Sequence, residues 1–279
     1  MSTFARLTRR LRRGGQIGAA FFHIGLRDSA NYPLAIVMQG LGTFVPIVTY
    51  MFVAQLVGEN TSDVAFDYYT FVVIGIATMS ILGVTLNSFG SAMLQFITQG
   101  QLEMFLVEPI PWRALPFALL PWPVVQVIAT ASAMVLLSVP LGARYDVAGI
   151  IPALLIILLG LLASLAVGIV GASVKILSKR SDPILQLYTI AASILSGAFF
   201  PVELLPGWLR SLSWVIPHTY VIQALRRVLM PNGELLPGPT TGQALIALLV
   251  FSAIAYPIAL TIFGRTMDYG RKIGALSGY

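Results

Sequence analysis

The sequence has no cysteine and very little charge. Of its 279 residues, 17 are Lys or Arg, 11 are Asp or Glu and 57% are hydrophobic. Without cysteine there is no disulfide-stabilised module and no thiolate metal or redox site. A soluble domain carries charge on about a quarter of its residues, so 10% charge cannot cover a water-exposed surface around so large a core. The composition therefore indicates a polytopic membrane protein.

Long uncharged windows separate the few charged residues and predict the membrane spans. About 20 apolar residues cross the hydrocarbon layer as a helix, and the windows here are continuous apolar runs, which favours helices over alternating strands. Residues 1–30 would form an amphipathic interfacial region and residues 31–279 a single transmembrane domain. We predict an all-α polytopic fold with six transmembrane helices, at about 34–57, 69–96, 114–139, 148–174, 183–200 and 242–264.

The distribution of Lys and Arg predicts the orientation in the cytoplasmic (inner) membrane. Most basic residues fall on one side of the six windows, and the positive-inside rule then places the N-terminus in the cytoplasm. The C-terminus follows to the same side from the count of six spans, which depends on the lengths of the windows. Residues 211–225 are too short for a span and favour a re-entrant piece, although spanning stays open. The net charge of +6 fits anionic lipid and requires no nucleic-acid partner. The basic residues left outside are Arg144, Arg210, Arg226 and Arg227.

The N-terminal stretch is basic and amphipathic. Phe4, Leu7 and Leu11 recur at spacings of three and four among arginines, as in a helix that lies on the inner surface of the membrane. The alternative is a disordered basic tail. In the first case membrane lipid is itself a partner of this segment.

The usual groups of an active site are missing from the predicted spans. All carboxylates fall at window edges, so no buried proton or cation relay is visible. His23 and His218 fall on opposite sides and cannot hold a metal together. There is no Gly-rich Lys-Ser/Thr phosphate loop, so the chain would not hydrolyse nucleotide. We therefore expect that the chain is not an enzyme and that it binds no metal and no cofactor.

Uncharged polar residues recur inside the windows at helical spacing. They support either helix–helix packing through small residues and amides or a weakly polar path for a substrate. In the fourth window packing is favoured, because Gly160, Ser164, Gly168 and Ala172 form a ridge of small residues. The candidate path residues in the other windows are Gln39, Asn87, Gln95 and Gln126.

The most specific local motif is Gly100-Gln-Leu-Glu-Met-Phe-Leu-Val-Glu-Pro109 on the predicted inner side. The pattern predicts a short helix with an apolar stripe and an exposed acidic residue, and the proline would end the helix. Such a helix can insert into the groove of a partner protein, or it can lie on lipid as an ordinary loop helix. The residues concerned are Gly100, Leu102, Glu103, Phe105, Leu106 and Pro109.

This motif resembles the Gly-Thr-Leu-Glu-x-Leu-Leu-x-x-Pro coupling helix of the type-2 ABC exporter permeases. Gln101 replaces the usual Thr and Phe105 replaces one Leu. Two outer stretches resemble that family as well: Ser196-Gly-Ala-Phe-Phe-Pro201, and Pro217-His-Thr-Tyr220 with Ala224-Leu-Arg226. The three motifs stand in the family's order, and with the basic amphipathic N-terminal helix and the six predicted spans the resemblance covers nearly the whole chain.

The resemblance implies a membrane subunit of an ATP-driven exporter that forms the path across the cytoplasmic membrane. Residues 31–279 would be its permease domain, with outer re-entrant helices between spans 5 and 6. Its partners would be two copies of an ABC ATPase, which bind ATP and Mg, and a second permease subunit, identical or homologous. The motif at 100–109 would contact the ATPase, and the outer gate would include Phe200, Pro201, Pro217 and Tyr220.

The family's cargoes include drugs, antibiotics and lipids, and the short outer loops favour a small amphipathic molecule. Two other classes stay open from the residues alone. One is a secondary carrier that works without ATP, although the missing intramembrane carboxylates argue against proton coupling. The other is an intramembrane lipid-modifying enzyme, for which no catalytic cluster can be named.

Overall fold

The structure is a computed structural model that describes residues 22–23, 25–27, 31, 33–58, 67–99, 115–178 and 183–272. Within these ranges the regular structure is helical and contains no strand, which confirms the all-α prediction for this part of the chain. The α-helices described are α1 (Pro33–Gly58), α2 (Tyr68–Thr98), α3 (Leu115–Ala118), α4 (Pro121–Ser138), α5 (Ile150–Ser178), α6 (Pro183–Leu195), α7 (Gly207–Ser213), α8 (Pro217–Leu229) and α9 (Thr241–Lys272). Short 3₁₀ turns lie at Val139–Leu141, Val147–Gly149, Val202–Leu204 and Gly233–Leu235.

Four of the described helical segments are long and apolar enough to cross a membrane. They belong to α2, to α4 with the turn that follows it, to α5 with the turn before it, and to α9. Two shorter apolar segments, Gly40–Leu56 in α1 and Leu185–Leu195 in α6, fall in the other two predicted windows. Four spans are therefore supported by length and composition, and the count of six remains a prediction.

The interior is built where α2 and α5 pack closely through small residues. A Cβ on Gly168 would lie 2.5 Å from the Leu86 carbonyl oxygen, and a Cβ on Gly90 would lie 3.5 Å from the Ala172 Cα. Glycine at these positions lets the two backbones approach each other. Gly160 is likewise buried, next to α8. The ridge of small residues in the fourth window is therefore a packing surface, as predicted.

Helix α8 lies among the long helices of the bundle, although it does not have the length of a span. It packs against α2, α5 and α9. A Cβ on Gly149 would lie 1.6 Å from the Val228 carbonyl oxygen, so the start of α5 fits against the end of α8 only because residue 149 is glycine. The amide of Asp146 also donates to the Leu229 carbonyl, 2.8 Å away. These contacts fix α8 to the rest of the bundle.

The N-terminal region is described only near its end. Residues 22–23 and 25–27 are helical, and the Phe22 ring lies 6.0 Å from the Trp122 ring at the start of α4. The basic amphipathic stretch predicted before it, together with the rest of residues 1–21, lies outside the described residues. The interfacial helix therefore stays a prediction.

Candidate functional site: the outer cluster and the polar face of α2

We call residues 196–238 the outer cluster, after the side of the membrane on which the charge distribution predicts them. The cluster begins at the turn that follows α6. Gly197 has a φ of +77°, a left-handed conformation that glycine adopts at little cost. A Cβ at this position would also lie 2.5 Å from a Val202 methyl group. The chain then passes Pro201, where a 3₁₀ turn begins, and reaches α7. The Ser-Gly-x-x-Phe-Pro motif is thus a tight turn between α6 and the 3₁₀ turn at Val202–Leu204.

Arg226 of α8 binds the main-chain carbonyl groups of this turn. Its guanidinium donates to the Gly197 and Ala198 oxygens, both at 2.8 Å, and to the Phe71 oxygen of α2 at 3.1 Å. The group also lies over the Phe71 ring, 3.3 Å from its centroid. The side chain is fully buried. One arginine therefore joins α2, α8 and the turn after α6 by three charge-assisted hydrogen bonds and a cation–π contact.

The same turn presents an aromatic ring to α1. The Phe199 ring stacks on the Tyr50 ring of α1, with centroids 5.7 Å apart and planes 22° apart. The Tyr68 hydroxyl of α2 donates to the Phe199 carbonyl at 3.4 Å. Phe199 therefore contacts α1 through its ring and α2 through its carbonyl oxygen.

A second arginine, next in sequence, binds main-chain carbonyl groups of the loop that follows α8. Arg227 donates to the main-chain oxygens of Glu234, Leu236 and Gly238. Unlike Arg226, its side chain is only partly buried. Neighbouring arginines thus hold two different loops of the outer cluster, one deep and one near the surface.

His218 is the buried titratable group at the start of α8. Its Nδ1 lies 3.3 Å from the Tyr188 hydroxyl of α6, and burial lowers the pKa of His218 to about 4. The ring is therefore neutral at neutral pH. Its contact with Tyr188 is one of the places where α6 touches α8.

The four predicted gate residues all lie in this outer cluster. Phe200 and Pro201 are partly buried in the turn, and Pro217 is buried as the first residue of α8. Tyr220 is partly buried, with its ring 5.5 Å from the Trp214 ring. Their role as a gate stays a prediction.

Three residues of this geometry were not named as site residues from the sequence: Tyr50, Phe199 and Arg226, of which the last two lie in the motifs quoted for the family resemblance. Arg226 was counted only among the basic residues of the outer side, and the structure adds that its side chain is fully buried in α8. A sequence pattern could have indicated this burial. Thr219, Ile222 and Arg226 follow each other at spacings of three and four, as on one face of a helix, and all three are fully buried.

A different surface lies on the other half of α2. Asn87, Ser91, Gln95 and Thr98 recur at spacings of four and three, and all four side chains are exposed. We call this stripe the polar face of α2. The Asn87 amide donates back to the Gly83 carbonyl at 3.0 Å, which leaves its amide oxygen on the surface.

Two of the four predicted path residues thus share one face, and the others do not complete it within the described residues. Gln126 lies on α4 and is partly buried. Gln39 lies in α1, but its side chain is outside the described residues. The predicted ATPase-coupling residues, from Gly100 to Pro109, also lie outside them, so their role stays a prediction.

The part of the chain that the structure describes contains several helices long and apolar enough to cross a membrane, which is typical of an integral membrane protein. Residues 20–230 match the family described as the ABC-2 type transporter. The match covers well over half of the chain, so the chain belongs to the ABC-2 type transporter family, the membrane subunits of type-2 ABC transporters. No curated protein matches it closely enough to add a relative.

Proposed function

We propose that the chain is the permease subunit of an ATP-driven exporter in the cytoplasmic membrane. It would cross the membrane six times, with both termini in the cytoplasm, and pair with a second permease subunit. Two copies of a separate ABC ATPase would bind ATP and Mg and supply the energy. The observation that carries the proposal is the family match over residues 20–230, which spans the predicted coupling segment and the outer cluster as far as the end of α8.

The polar face of α2 supports a path between two subunits. Amide and hydroxyl groups cost free energy when they face hydrocarbon without a partner. Asn87, Ser91, Gln95 and Thr98 are nevertheless exposed on a long apolar helix. Asn87 and Thr98 each donate one bond to a main-chain carbonyl of their own helix, which leaves the Asn87 amide oxygen and the Ser91 and Gln95 side chains to be satisfied. A second subunit or a water-filled space on this side of α2 would satisfy these groups.

The same face supports a cargo class. Its four side chains offer hydrogen-bond donors and acceptors without a formal charge. A path of this kind suits a neutral or amphipathic molecule, such as a drug, an antibiotic or a lipid, better than an inorganic ion. Export rather than import follows from the resemblance to the exporter permeases.

The coupling role belongs to residues 100–109. By resemblance, Glu103 would be the polar anchor in the ATPase groove, with Leu102, Phe105 and Leu106 as the buried knob. A few buried residues carry most of the binding free energy of such a contact. The adjacent Val107 and Glu108 fall at the family's variable positions and offer a matched control.

The test is ATP-driven cargo uptake by inverted membrane vesicles that contain the chain and its ATPase. Loss of a central contact costs about 2 kcal/mol or more, so Glu103→Ala with Leu106→Ala should reduce uptake at least about tenfold at unchanged membrane insertion. Val107→Ala with Glu108→Ala should transport nearly as the unmodified chain does. Full transport by the first double variant, or transport driven by an ion gradient without ATPase, would contradict the proposal.

A further inference from the structure

The outer turn between residues 196 and 201 is bound strongly on one side, which we call its strong side, and weakly on the other, which we call its weak side. On the strong side, the Arg226 guanidinium binds two successive carbonyl oxygens, those of Gly197 and Ala198, each at 2.8 Å. On the weak side, the next residue, Phe199, meets α1 through a ring stack with Tyr50. We propose that Arg226 is a positioning residue that clamps this turn to α2 and α8, so that the contact between Phe199 and Tyr50 is where the outer end opens.

The clamp depends on the planar fork of arginine. Its Nη1 and Nη2 each donate to one carbonyl of the turn while Nε donates to Phe71 at 3.1 Å. A lysine ammonium is a point donor on a flexible stem and cannot hold three carbonyls that spread along a guanidinium plane. Because all three bonds are buried, water cannot replace them when the turn moves.

Gly75 of α2 is the second part of the clamp. A Cβ at this position would lie 2.1 Å from the Ala198 carbonyl oxygen and 2.8 Å from an Arg226 guanidinium nitrogen. The turn therefore reaches α2 only because residue 75 has no side chain. A methyl group there would push the turn away from α2 and leave the charge of Arg226 in place.

The contact with α1 is easier to separate. Two stacked rings attract each other less strongly than three charge-assisted hydrogen bonds hold a buried guanidinium. Much of α1 is also exposed, including Phe44, Val45 and Phe52 on the turns around Tyr50. When the outer end opens, the turn should therefore stay with α2 and α8 and leave α1. Only this opening step rests on the proposed function, whereas the clamp itself does not.

The experiment uses the full chain, whose lack of cysteine makes any introduced thiols the only ones. Tyr50→Cys with Phe199→Cys is treated with a short bifunctional thiol reagent, and the rate of cross-linking is followed without nucleotide. Loss of one charge-assisted bond changes a population about tenfold or more, so Arg226→Lys should slow cross-linking by about that factor. Arg227→Lys is the matched control, since Arg227 also holds three carbonyls but in the loop after α8, and it should leave the rate unchanged.

Gly75→Ala in the same double-cysteine chain is the second variant, and it should slow cross-linking as Arg226→Lys does. It decides the matter if Arg226→Lys does not accumulate in the membrane. Unchanged cross-linking in Gly75→Ala and in any Arg226→Lys protein obtained would overturn the clamp, whatever drives transport.

The opening step is tested by adding the ATPase with ATP and vanadate, which should slow cross-linking in the chain that keeps Arg226 and Gly75. If ATP drives transport and the cross-linking rate does not change, the proposed opening at α1 is wrong. If ATP drives no transport at all, the proposed function fails while the result on the clamp stands.

Discussion

Helices α6 and α8 have 13 residues each and touch at Tyr188 and His218. Of the two, the apolar helix has the more exposed side chains and the polar helix the more buried ones. The apolar α6 exposes Leu187, Ile190 and Ile194. The more polar α8 buries His218, Thr219, Gln223 and Arg226. In a soluble protein the apolar helix would be the buried one.

The comparison shows which groups require protein partners in this molecule. Lipid or a second subunit can cover apolar side chains such as those of α6, so their exposure carries no penalty in a membrane. Carbonyls and guanidinium groups find no partners in hydrocarbon and must be satisfied within the protein. The outer cluster therefore depends on specific hydrogen bonds, whereas α6 depends on its surroundings.

The largest effect should come from removing the partner of three buried carbonyls. Arg226→Met would leave the oxygens of Gly197 and Ala198 without their charged donor, at about 1–3 kcal/mol for each unsatisfied group, and would also remove the bond to the Phe71 oxygen and the contact with the Phe71 ring. We expect a loss of at least about 3 kcal/mol, measured as a lower melting temperature of the detergent-purified chain. Leu187→Ala on the exposed face of α6 should change the melting temperature little. If both substitutions lowered the melting temperature equally, α8 would not depend on specific hydrogen bonds more than α6 does.

The second effect is a pH dependence that belongs to α8. The pKa of His218 in the folded chain is about 4, below the ordinary value near 6.5, so the unfolded chain binds more protons between these values. The stability from neutral His218 is complete above about pH 6.5 and is lost as the pH falls towards 4. Between pH 6.5 and 5 the loss should be about 2 kcal/mol.

The check for His218 is the melting temperature of the purified chain across that pH range. His218→Gln should flatten the dependence, and substitution of the exposed His23 in the same way should not. A slope that survives His218→Gln would assign the effect to other groups.

The third effect tests the packing of α2 on α5. Gly168→Val should destabilise the chain by about 1–3 kcal/mol, because a side chain there meets the Leu86 carbonyl and the helices must separate. Gly264→Ala in α9 is the control, since a Cβ at residue 264 meets nothing within 4 Å. Thermal unfolding of both variants measures the difference, and a stable Gly168→Val protein would contradict the close approach of the helices.

The smallest effect concerns the polar face of α2. Gln95→Leu and Asn87→Leu each remove a hydrogen-bonding group worth about 0.5–1.5 kcal/mol, so the KM for cargo should rise about threefold to tenfold. The melting temperature should not fall, because both side chains are exposed. Val250→Ala on the exposed apolar side of α9 should leave KM unchanged, and an equal rise there would argue against a path along α2.

The sequence predicted the helical class and the packing ridge because both follow from local spacing. Uncharged windows indicate long helices, and Gly160, Gly168 and Ala172 could be assigned to packing without knowledge of what they touch. Asn87 and Gln95 could be named as polar but not as exposed, since exposure depends on which neighbours cover each face of α2.

The outer clamp could not be predicted in this way. The Phe71 oxygen that Arg226 binds is 155 residues away in sequence, and no local pattern indicates which carbonyls will meet a guanidinium. Phe200 was named for the outer gate from its place in a motif, whereas the ring that stacks on Tyr50 belongs to its neighbour Phe199. A shift of one residue in a tight turn changes the direction of the side chain, and only the three-dimensional arrangement determines it.

The most direct test of a path along α2 is thiol labelling in membranes. Ser91→Cys on the polar face and Val250→Cys on the exposed apolar side of α9 are treated with a membrane-impermeant thiol reagent, with access to both sides of the membrane. If the polar face lines a water-filled path, Ser91→Cys is labelled and cargo protects it, while Val250→Cys stays unlabelled. If Ser91→Cys resists labelling as Val250→Cys does, the polar face does not line such a path.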